Sequence, residues 1–168
     1  MARKTVLLGL GAALFGFVSL AQAKEAAGAR FIKQAIEGNL AEVQMGQLAQ
    51  ANAQSQDVKT FGQTLQQDHS AANQKAIAVS QQLGVAAPTQ PNKKQTADYN
   101  KMAKLSGDKF DKAFAQHMVM DHKKDIAAYT KEARQKDPAA GYASETLPTL
   151  QKHLDTAQSL AKGPPRTQ

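Results

Sequence analysis

The sequence predicts an all-α protein: four long amphipathic helices arranged as two antiparallel hairpins with a long crossover between them. Three observations carry that expectation. Apolar residues recur at three- and four-residue steps in four separate segments, most clearly in Asp57–Leu83, where Phe61, Leu65, Ala72, Ala76, Val79 and Leu83 make one face. The breaks between segments alternate short, long, short: Ala53–Gln56, Val85–Gln95 and Asp137-Pro138. The chain of 168 residues has the length of one domain and no cysteine, so core burial alone must hold it together.

The N-terminal stretch stands apart from the fold. Met1–Ala23 reads as a secretory signal peptide, with Arg3 and Lys4 as the positive start, Val6–Leu20 as the apolar run and Ala21-Gln22-Ala23 as a small-x-small cleavage site. The run is shorter than the roughly 20 residues of a spanning helix, and no later segment is apolar and long enough to cross a membrane. The expected organisation is therefore a signal peptide over residues 1–23, a helical domain over 24–162 and a disordered tail over 163–168. The expected location is the periplasm or the outer membrane.

The first long helix spans about Gly28–Asn52, with Phe31, Ile32, Ala35, Ile36, Leu40, Val43 and Leu48 on its apolar side. Gly38 and Gly46 flank Glu42 at four-residue spacing, a strip of small residues with a carboxylate in its middle. Ser55 is placed to cap the second helix, and Asp57 in the first turn suits its dipole. That helix ends at Leu83-Gly84, where the glycine can take the left-handed conformation. Two prolines make Val85–Gln95 the crossover loop, followed by a short helix over about Thr96–Leu105. Ser106 caps the third long helix, about Gly107–Lys136, whose stripe is Phe110, Phe114, Met118, His122, Ile126, Tyr129 and Ala133. Pro138 opens the fourth, which runs to about Ala161 and should be kinked at Pro148 or lose a hydrogen bond there. Two hairpins joined by one long crossover is the connectivity of ferritin-like four-helix bundles.

Three histidines fall on apolar faces of different helices. His122 lies 15 residues before Asp137 and His153 lies 15 after Pro138, so the second hairpin brings them to one height. About a turn centred near Gln54, Glu42 is 12 residues back and His69 is 15 forward. That mismatch is about 4.5 Å of helix rise, within side-chain reach. His69, His122, His153 and Glu42 are thus candidate metal ligands, because imidazole and carboxylate from facing helices hold transition metals inside bundles. The candidate cofactor is one transition-metal ion: Zn, Fe or Cu. Asp68 and Asp121 each directly precede a core-facing histidine and are candidates to accept from, and so orient, a neighbouring imidazole. His117 is about 140° around the helix from His122 and cannot share its core. His117 and Asp121 form an i,i+4 pair on the flank. The competing reading makes each histidine a hydrogen-bonded core residue.

The motifs carry a resemblance. Leu40-Ala41-Glu42-Val43 with Leu48-Ala49, Val58-Lys59-x-Phe61 with Asp68-His69-x-x-Ala72-Asn73, Phe110-Asp111 with His122, and Thr146-Leu147-Pro148-x-Leu150-x-x-His153-Leu154 are similar to a family of exported bacterial proteins. It is catalogued as a domain of unknown function with a ferritin-like fold, and its members are often labelled as outer-membrane or membrane proteins. The resemblance implies a ferritin-like bundle in the periplasm or envelope and no established activity.

Several functions are set aside. Di-iron ferritins use Glu-x-x-His on two helices, whereas Gln66, Val119 and Leu150 stand three before the histidines here. There is no cysteine nucleophile, no Gly-x-Ser-x-Gly elbow and no phosphate-binding loop, so no enzyme class is indicated. The formal charge of +7 becomes +5 without Arg3 and Lys4, and it is spread thinly over lysines. With Arg30, Arg134 and Arg166 as the remaining arginines and no tryptophan, nucleic acid is excluded as a partner. What remains is an envelope or stress-related metal-binding bundle, a metal-free bundle contacting an anionic membrane surface or a protein partner, or a redox enzyme with an imidazole-rich centre.

Overall fold

A computed structural model describes residues 19–163. The expected signal peptide lies outside them except for residues 19–23, and the expected tail lies outside them beyond Gly163. Among the described residues the chain is all-α and without strands, with five helices, four long and one short: α1 (Ser19–Asn52), α2 (Gln56–Gln82), α3 (Lys93–Met102), α4 (Gly107–Glu132) and α5 (Pro138–Lys162). None of them is long and apolar enough to cross a membrane. α1 pairs with α2 and α4 with α5, and the pairs meet mainly through α2 against α5 and α1 against α4.

Helix ends follow their local chemistry, with several departures from expectation, the first being that α1 begins at Ser19 rather than near Gly28. α2 ends as expected: Gly84 has φ +66°, Val85 N–H donates to Ser80 O at 2.8 Å and Gly84 N–H to Gln81 O at 3.1 Å, a Schellman pair. Ser106, expected to cap α4, makes no side-chain cap, and none is made on α2 by Ser55. The backbone N–H of Ser55 and that of Gln54 donate instead to the Asp111 carboxylate on α4, at 2.7 and 3.1 Å, so a residue from the other hairpin ties down the α1–α2 turn. The short helix starts three residues earlier than expected because Asn92 and Gln95 form a capping box. α4 stops at Glu132 rather than near Lys136, leaving Asp137 to cap α5 through Ala139 N–H and Ala140 N–H. α5 runs unbroken through Pro148; the carbonyl four residues earlier belongs to exposed Ser144, where water can take the missing bond.

The interior divides along the helix axes. Towards the α1–α2 turn, Met45, Leu48, Phe61, Leu65, Phe110, Phe114 and Met118 form one apolar cluster. Towards the α4–α5 turn, Phe31, Ile32, Ile36, Tyr129, Tyr142 and Leu150 form a second. Buried Asn39, Glu42, His69, His122 and His153 lie between them in the sequence of every long helix, as a polar layer across the middle.

α1 and α2 touch backbone to backbone. A Cβ on Gly62 would stand 2.7 Å from Gly46 O and 2.7 Å from Ala49 Cβ, and one on Gly46 would collide with Gly62 O. Gly46→Ala should therefore destabilise the fold by about 1–3 kcal/mol by overpacking, although alanine is the better helix former. Gly141→Ala, at an exposed position on α5 with nothing within 4 Å, should stabilise it by about 0.5–1 kcal/mol. Urea unfolding of both variants checks the pair; equal and favourable shifts would contradict the close contact.

Candidate metal centre

The polar layer is organised by three imidazoles, one each from α2, α4 and α5. His69, His122 and His153 are 4%, 1% and 3% exposed. Their ring centroids lie 5.3–5.8 Å apart, and one nitrogen from each ring falls within 4.8 Å of the others. The helical stripes deliver them: Leu65 and Ala76 place His69 inward on α2, Met118 and Tyr129 do so for His122, and Leu150 and Ala157 for His153. Phe61 closes the triad on one side, its ring edge-on to His153 at 6.0 Å.

Each ring is anchored on its outer nitrogen by an acceptor. His69 Nδ1 donates to Asn39 Oδ1 at 2.9 Å, and Asn39 is itself oriented by donating to Tyr142 OH at 2.9 Å. His122 Nδ1 donates to the Met118 carbonyl at 3.0 Å, and His153 Nε2 donates to Asp68 Oδ2 at 2.8 Å. A carbonyl, an amide oxygen and a carboxylate accept only, so these bonds fix the tautomers. The inner nitrogens of neutral rings, Nε2 of His69 and His122 and Nδ1 of His153, then carry lone pairs that converge. His69 Nε2 is buried without a partner. His122 Nε2 and His153 Nδ1 face each other at 3.3 Å, and with both outer protons committed neither ring has one to give.

Burial disfavours the charged form of each ring. It lowers the pKa of all three: His69 falls well below the usual range with the other two rings adding to the effect, His122 falls to about 4, and His153 falls despite its bond to Asp68. A proton is thus a poor occupant of the space between them. A Lewis acid suits it: tetrahedral Zn–N bonds of about 2.0–2.1 Å put ligand nitrogens roughly 3.3 Å apart, the spacing His122 and His153 already have.

The other expected residues are placed differently. Glu42 is 2% exposed but is not one of the grouped donors. Its carboxyl lies against Asp121, and burial together with Asp121 and Asp125 raises its pKa well above the carboxylate range. Glu42 Oε2 is buried without a hydrogen-bond partner. Asp68 does orient an imidazole, but that of His153 across the α2–α5 interface rather than its neighbour His69. Asp121 contacts Glu42 instead of a ring. His117 lines a small cavity with Glu42, Asp98 and Asp121, outside the triad. Sequence reasoning missed Asn39, whose place four after Ala35 and three before Glu42 put it on the inner face, and Asp125, whose carboxyl burial and Asp121 push up to about 7.

A family model described as a domain of unknown function, DUF4142, matches residues 18–160. The chain belongs to that family. No curated protein and no solved structure matches it.

The Asp125 shift has a measurable sign. Its folded pKa stands at about 7 against an ordinary 3.8, so across that window the native protein holds a proton the unfolded chain has lost, and stability falls as pH rises. Asp125→Asn removes that contribution. The melting temperature of the variant relative to the parent should therefore climb from pH 4 to pH 7, by circular dichroism; a pH-independent difference would contradict it.

Proposed function

We propose that this protein is an exported envelope protein that binds one transition-metal ion through His69, His122 and His153. The observation that carries the reading is the set of outer anchors. Three buried neutral imidazoles, each held by an acceptor on its far nitrogen, direct three lone pairs at one another with no donor between them. Such anchors on the far nitrogen are how proteins set the tautomer and basicity of metal-bound histidine. Nitrogen-only donors without thiolate favour Zn, Cu or Fe over Mg or Ca. Three protein ligands leave a further coordination position, to which Glu42 does not turn. The signal-type N-terminus supports export, and the four long helices with their long crossover support a ferritin-like four-helix bundle.

Elemental analysis of protein purified without a histidine tag, before and after chelator, tests the reading. One equivalent of transition metal should be present or restored by Zn, Cu or Fe, and should be absent from His69→Ala and His153→Ala. His122→Ala should lose it with its helical circular dichroism retained. Asp68→Asn should bind about 10–100-fold more weakly while keeping the same stoichiometry. Failure of the parent protein to retain any of the three metals would sink the proposal.

A further inference from the structure

The triad is buried on every helix, yet one cavity reaches it. A space of about 210 Å³ opens between α1, α3 and α4 and includes His69 in its lining. Its outer residues are exposed Gln34, Lys124 and Ala128; further in stand Asn39 and His69, both buried. Glu37, Asp121 and Asp125 line it as well, three carboxyls against the single ammonium of Lys124. Buried Glu42, with its unpartnered Oε2, adjoins through Asp121. The depression on the opposite face, lined by Asp68, Lys75, Glu145 and Thr149, includes no triad histidine.

We propose that this acidic cavity is the route by which a divalent transition-metal cation reaches the triad, with Asp121 and Asp125 as its transient holding groups. The inference rests on the triad being a metal site. Two independent features point to a cation. The cavity is wide enough for several waters of a hydrated ion, and its carboxyls focus a negative potential in a low-dielectric cleft, which raises the capture rate of cations. It also leads to a buried imidazole whose Nε2 has no partner, so a stripped ion moves from oxygen donors to a nitrogen donor at the inner end.

Gly38 gives the means to test the route. It lines the cavity, and a Cβ built on it meets only Gln95 Nε2, at 4.0 Å, so the backbone there has room for a side chain at the cavity wall. The experiment follows Co²⁺ by its visible absorption in stopped flow at pH 8, for loading into chelated protein and for release into excess chelator. Gly38→Leu should slow loading and release by a common factor, leaving the dissociation constant unchanged, because a plug in the path raises one barrier for both directions. Asp125→Asn should lower the loading rate about tenfold at low ionic strength and flatten its salt dependence. Thr149→Leu, on the opposite face, should load as the parent does. Parental rates in both Gly38→Leu and Asp125→Asn, or a slowing confined to Thr149→Leu, would overturn the route while leaving the metal site standing. A parent protein that takes up no Co²⁺ would overturn the site and the route together.

Discussion

The hydrogen bonds on the outer nitrogens of the three histidines govern the middle of this molecule. Without Asn39, the Met118 carbonyl and Asp68 as acceptors, each ring could turn its N–H inward and satisfy a neighbour, and the layer would be an ordinary buried polar network. With them, the protons point away and the acceptors converge. A buried acceptor left without a donor costs about 1–3 kcal/mol, so the inward lone pair of His69 Nε2 calls for a partner.

The two flanks of the layer differ in charge and in purpose. On the α2–α5 side, half-exposed Asp68 reaches across to His153, and Lys75 pairs with Glu145 close by. On the α1–α4 side, Glu42, Asp121 and Asp125 crowd together, and burial and mutual repulsion raise the pKa of Glu42 and Asp125. Asp68 and Asp121 occupy the same position in sequence, immediately before a triad histidine, and end with opposite roles. A residue one step earlier sits about 100° around its helix, so its partner is set by whichever helix lies on that flank. For Asp68 that is α5 with an imidazole; for Asp121 it is α1 with a carboxyl.

The ends of the helices show how the layer is kept in register. Asp111 binds the α1–α2 turn to α4, and the Gly46–Gly62 contact sets the α1–α2 spacing by backbone against backbone. Gly38, about two turns earlier on α1 and turned towards α3, has no such contact and lines the cavity.

Much of this was legible from residue order alone. Periodicity fixes the four long helices and their inward faces, Gly84 and Pro138 fix two of the ends, and counting from the hairpin turn fixes His122 and His153 at one height, because helical rise is constant and the turn at Asp137-Pro138 is tight. The same counting placed Glu42 level with His69 but could not give its azimuth relative to α4, and so could not separate a ligand from a partner of Asp121. The capping box of Asn92 and Gln95 was readable and was masked by the neighbouring prolines. The height of one hairpin against the other, the role of Asp111, and the cavity beside His69 are decided only in the tertiary structure. A long crossover leaves the sliding of one hairpin along the other free in sequence, and side-chain packing at the interface alone removes that freedom.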